Sequence, residues 1–156
     1  MRIFEKIKDL PYNTIQGISN LFLWIRVIWN DRQWDHVFIY EIFRHKLHLT
    51  EQYIRKYGHH TNNISDANRI RKCVLLLDRL INEDYHDNVF SSHYEKWGEL
   101  ELTDKGISYP NVKTEEDEKK EREERKIKYE KENKLREQDL DMLFSIMRKH
   151  IQSWWD

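Results

Sequence analysis

Arg71, Asp78 and Tyr85, spaced seven apart, and Glu41, His45 and His48, at i, i+4 and i+7, are the side chains whose types and spacing could do chemistry. On an α-helix a step of seven returns to within about 20° of the same face. Arg71, Asp78 and Tyr85 therefore line up beside the apolar stripe of VLLLDRLINEDYH, residues 74–86, and would make one wall of a pocket. Such a wall suits a nucleotide-like ligand, with Arg71 and Arg79 meeting a phosphate and Tyr85 stacking on a base. His86 and Trp97, near that helix end and in the segment after it, complete the ligand-binding set. The competing reading makes these boundary residues that tie a buried helix to its neighbours by hydrogen bonds. Asp84 falls about 240° around the helix from Asp78, so the two acids do not form one cluster.

Glu41, His45 and His48 place one carboxylate and two imidazoles on one helix face, a permissible partial shell for a divalent metal that Asp78, Asp84 or His86 could complete. The commoner fate of such a group is a solvated helix surface. Acidic residues at Glu115, Glu116, Asp117, Asp139 and Asp141 invite comparison with the paired carboxylates of a nucleotide pyrophosphohydrolase, which hold magnesium against phosphates. They stand in a charge tract, where acidic pairs arise by composition. The sequence contains no Ser-His-Asp arrangement, no P-loop and no glycine-rich dinucleotide fingerprint. A binding protein without a cofactor is expected ahead of an enzyme.

The elements that must position these residues read as all-α. Ile15, Ile18, Phe22, Ile25 and Ile28 or Trp29 recur at steps of three and four, predicting an amphipathic helix over 12–29, after Pro11 and Asn13 and before Asn30-Asp31. Residues 34–57 predict a second helix with Phe38, Ile42, Leu49 and Tyr53 buried and Gly58 as its C′ residue. Residues 66–85 predict a third, capped by Ser65 or Asp66, with Ile70, Val74, Leu77 and Ile81 as core, so that 34–57 and 66–85 form an αα-hairpin. Residues 87–113 hold two of the four Gly and one of the two Pro, and read as a long irregular loop with room for one small β-hairpin, Trp97 folding back as an anchor. Thr114 to Asp117 has capping-box spacing and opens a helix over 115–152. Its first half is charged throughout and reads as a solvated or protruding tract; Leu140, Leu143, Met147, Ile151 and Trp154 dock its second half.

A length of 156 residues sets one domain, 1–156, as the default. The formal net charge of −1, from 27 basic and 28 acidic residues, gives no field that would draw in DNA. The single Cys73 excludes an intrachain disulfide and suits a reducing cytoplasm. No apolar run is long enough to cross a membrane, and no signal-peptide pattern opens the chain. Within residues 12–30 only Arg26 is basic, whereas a helix lying on a membrane surface would usually carry several Lys or Arg. That helix should instead pack on the domain or on a second subunit, so a homo-oligomer is expected.

Taken together, GISNLFLWIRVIWNDRQWD, HKLHL, LLLDRLINEDYH, KWG at 96–98, PNVKTEEDEKKERE and QDLDMLFSIMRKHIQSWWD make the chain resemble, over nearly its full length, a recurring family of uncharacterised tailed-bacteriophage proteins. The resemblance implies an origin, as a phage-encoded accessory protein in the host bacterial cytoplasm, and does not indicate an activity. It favours counter-defence, by sequestering a nucleotide immune signal or blocking a host defence protein. The alternatives are a metal-dependent phosphohydrolase or nuclease built on Glu41, His45, His48 and Asp78, and a structural or assembly protein.

Overall fold

The computed structural model describes residues 10–29, 32, 34–103 and 106–154. Among them the chain is all-α, as expected, with five helices and one two-stranded hairpin. Helix α1 spans Leu10–Ile28, with Pro11 in its first turn, where a missing N–H is tolerated. The stop expected at Asn30-Asp31 lies outside the described residues, as do Trp155 and Asp156 of the terminal SWWD.

Helices α2, Val37–Tyr57, and α3, Asn63–Asn82, form the expected helical hairpin. Its connection is shorter than the sequence implies, because α3 begins at Asn63 and places Ser65 and Asp66 inside its first turn. Asp66 is buried there, bound by Arg69 at 2.6 Å and by His60 at 3.2 Å. Gly58 is needed for a different reason from the one its position implied. Its φ of −65° is not left-handed; a Cβ there would lie 2.5 Å from the Ile54 carbonyl oxygen and 2.9 Å from Asn63 Cβ.

The buried line of α2 is also not the expected one. Leu47, Glu51 and Ile54 are buried, with Tyr40 and Phe43 packed beside them, while Tyr53 is exposed. The true stripe contains a carboxylate, which hides it from an apolar search; Arg55 holds Glu51 at 2.8 Å, so its burial is satisfied. In α3 the expected line is buried at Ile70, Val74 and Leu77, while Ile81 is partly buried and packs against the core; Leu80 is buried too, together with Cys73, whose thiol burial pushes up to about 11.

Helix α3 ends at Asn82 because Glu83 turns left-handed, with φ at 53°. A side chain in that conformation costs about 1 kcal/mol or more. Glu83→Gly is therefore expected to stabilise the fold by about 1 kcal/mol, read as a rise in thermal midpoint, since the side chain is largely exposed and its contact with Arg136 is long, at 3.7 Å.

The segment 87–113, read as an irregular excursion, largely corrects to structure. Helix α4 occupies Tyr85–Trp97 and buries Tyr85, Val89, Phe90, His93 and Trp97. Its stripe of four-residue steps is interrupted by a histidine and filled out with Asp, Asn and Ser, residues of weak helix propensity. Gly98 then takes a φ of 85° against Pro110, and the small hairpin follows, β1 Glu101–Thr103 pairing antiparallel with β2 Gly106–Ser108, Leu102 opposite Ile107.

Helix α5 runs from Glu115 to His150, about 54 Å at 1.5 Å per residue, and ends in a short 3-10 turn. The expected capping box is formed: Thr114 Oγ1 accepts from the Asp117 amide at 3.1 Å and Asp117 accepts from the Thr114 amide at 3.1 Å. The second half docks on the core through Leu143 and, beyond the helix, Trp154, with Leu140 and Met147 partly buried beside them, whereas Ile151, expected in the same set, is exposed. The charged first half does not protrude. It lies along α4, burying Glu121 and Glu132 in that contact.

Candidate ligand-binding cleft

A cleft of about 460 Å³ opens between α1, α2 and α3, in the size range of small-molecule sites. Glu41, Arg44, His45 and His48 line it from one face of α2, Arg71, Val74 and Asp78 from one face of α3, and Arg26 and Val27 from α1. The helical hairpin thus brings Arg71 and Asp78 together with Glu41, His45 and His48, two groups that sequence spacing alone kept apart.

Three guanidinium groups face two carboxylates in this cleft, a local excess of positive charge before either imidazole takes a proton. Arg44 is engaged, its Nη1 donating to Asp78 Oδ1 at 3.1 Å. Among the described residues Arg26 and Arg71 have no ion-pair partner, and Glu41 has none either. His45 packs edge-on to Trp24, with ring centroids 4.9 Å apart, and its Nε2 is buried without a hydrogen-bond partner. His48 is tied up along its own helix, with Nε2 2.9 Å from Gln52 Nε2. Chemically the cleft can receive an anion on Arg26 and Arg71 and a hydroxyl or amine donor on Glu41. Glu41, His45 and His48 share its wall, yet among the described residues no three His, Cys, Asp or Glu side chains are grouped so as to hold a metal ion.

The other residues of the expected ligand set lie elsewhere. The left-handed turn at Glu83 breaks the helical phase, so Tyr85 does not continue the line from Arg71 and Asp78. It is buried at the start of α4, where its hydroxyl donates to Asp139 Oδ2 at 2.6 Å. Arg79 pairs with the same carboxylate at 3.1 Å and lies 5.4 Å from the centre of the Tyr85 ring. His86 stacks on Phe90, 4.3 Å between centroids, with Nδ1 3.2 Å from Glu132 and Nε2 2.7 Å from the Tyr94 hydroxyl. Trp97 is buried and donates to Glu124 at 2.9 Å. Arg79, Tyr85, His86 and Trp97 are thus committed to holding α5 in place, the tying role that competed with the pocket reading.

Their partners lie along one face of α5, which charge and hydrophobic patterning do not mark as a contact. Glu121, Glu124, Lys128, Glu132, Leu135, Asp139 and Leu143 follow one another at steps of three and four along α5, a continuous seam written first in charge and then in leucine. On α4 they meet His93, whose Nε2 donates to Glu121 at 3.2 Å, as well as Lys96, Trp97 and His86. Lys96, and then the Trp97 N–H, hold the Glu124 carboxyl below its ordinary range. Glu124 therefore contributes stability above the unfolded carboxylate value of about 4.3 and loses it as pH falls through its lower folded value.

Burial raises the tyrosines of this seam. Tyr85 goes well above the ordinary value, helped by the Asp139 carboxylate, and Tyr94 and Tyr109 move in the same direction. Their contribution is present below about pH 10 and is lost as pH rises through the folded values. Absorbance titration of phenolate should find these three ionising late, with loss of the α4–α5 contact at the alkaline end; Tyr85→Phe should remove one late phase.

Comparison with family models, curated proteins and solved structures finds no significant match. Among the described residues no helix is long and apolar enough to cross a membrane.

Proposed function

We propose that the chain is a phage-encoded accessory protein, active in the cytoplasm of the infected bacterium, that holds a nucleotide immune signal in the α1–α2–α3 cleft without turning it over. The observation that carries this reading is the pair of guanidinium groups, Arg26 and Arg71, that line one cleft from different helices and, among the described residues, have no ion-pair partner. Arginines so placed at a concave site suit phosphate oxygens, and Glu41 offers an acceptor for ribose hydroxyls or an exocyclic amine. The phage origin rests on the full-length resemblance of the sequence.

The test is to incubate the purified protein with a panel of adenine nucleotides and cyclic dinucleotides, remove unbound ligand, denature the protein by heat and identify what is released. Intact nucleotide, lost in Arg71→Ala, is the expected result. Altered nucleotide would replace this reading with a metal-dependent phosphohydrolase using Glu41, His45, His48 and Asp78, which line the same cleft. An empty release overturns nucleotide sequestration; a stoichiometric host protein on the same preparation would then favour blockade of a defence protein, and a phage particle component an assembly role.

A further inference from the structure

Among the described residues helix α1 meets α2 at few points, with Trp24 edge-on to His45, and most of its large apolar side chains are exposed. Ile15, Ile18, Phe22, Ile25 and Trp29 stand along it at steps of three, four, three and four, exposed at 69, 50, 74, 42 and 74%. Leu21 and Ile28, also exposed, widen the stripe along one edge. We propose that this face is the interface with a second copy of the chain, α1 packing against α1 of its partner about a two-fold axis.

Three observations favour a second copy over other occupants. The 3-4 spacing is the pattern of helices that pack lengthwise at a shallow angle, and the added edge is the width seen in a bundle rather than a solitary surface helix. The stripe carries no charge, Arg26 being turned to the cleft, so two copies can meet on it without repulsion, as a self-complementary interface requires. Seven large apolar side chains 42–74% exposed make a contiguous strip on the order of several hundred Å², larger than scattered surface hydrophobics provide and a substantial part of the roughly 800 Å² that a specific interface takes from each partner. A lipid surface would call for a basic flank, and Arg26 is the sole basic residue in Leu10–Ile28.

The experiment is sedimentation equilibrium of the full chain, wild type and Phe22→Glu, with circular dichroism on both. Phe22 touches little in the isolated chain, so the variant folds. The expected result is a particle of twice 19.4 kDa for wild type at concentrations on the order of 10 µM, and of 19.4 kDa for Phe22→Glu, with equal helix content and with Leu102→Glu, an exposed apolar control on the hairpin, still dimeric. A monomeric wild type overturns the proposal, as does a Phe22→Glu variant that remains dimeric. Co-sedimentation of a monomeric wild type with phosphatidylglycerol vesicles, lost in Phe22→Glu, would assign the face to a membrane instead. The outcome does not depend on any ligand in the cleft.

Discussion

Glu121→Leu is expected to destabilise the protein by about 3 kcal/mol, lowering its thermal midpoint on the order of 10 °C. His93 is fully buried, its Nε2 donates to Glu121, and its Nδ1 already lacks a partner. Removing the carboxylate leaves an imidazole with neither nitrogen satisfied inside the α4–α5 contact, and frees Arg125, which Glu121 also holds at 3.3 Å. The double replacement His93→Leu/Glu121→Leu should recover most of the loss, because an apolar pair of adequate volume removes both polar groups at once. Thermal denaturation of the two single variants and the double variant closes the cycle; additive losses would show that the two side chains do not act as a pair.

Arg71→Ala is expected to weaken retention of a phosphate-bearing nucleotide by about 10- to 100-fold, the worth of one charge-assisted hydrogen bond or a bidentate pair. The side chain is exposed and, among the described residues, makes no ion pair, so the fold should be unaffected and the loss should appear in equilibrium dialysis alone. Arg71→Lys should restore only part of it, since an ammonium keeps the charge without the planar fork. Arg44→Ala makes a poorer probe, because it also strands Asp78. An unchanged affinity in Arg71→Ala would move the ligand out of this cleft.

The sequence was most legible where burial is written in aliphatic residues. Ile70, Val74, Leu77 and Leu143 fix the faces of α3 and the second half of α5, and the Thr114–Asp117 box fixes where α5 begins. It was least legible where burial is written in polar residues. The α2 stripe passes through Glu51, α4 turns His93 inward, and the first half of α5 contacts α4 through Glu121, Glu124 and Glu132. Hydrophobic periodicity assigns each of these side chains to solvent, and only the partner across the contact accounts for its burial. The ligand set divided for a related reason. Helical phase carried Tyr85 onto the line of Arg71 and Asp78, and a single left-handed residue at Glu83 cancelled that phase.

By itself, then, the sequence determined an all-α chain, the αα-hairpin, the long C-terminal helix and an α1 with far more apolar side chains than polar ones. The tertiary structure alone decided that Glu41, His45 and His48 share a cleft with Arg71 and Asp78, and that Arg79, Tyr85, His86 and Trp97 do not belong to it. Periodicity records which residues lie on one face of one helix. Which face meets which is set by the packing of several helices at once, and that choice also settles whether a buried carboxylate finds its donor.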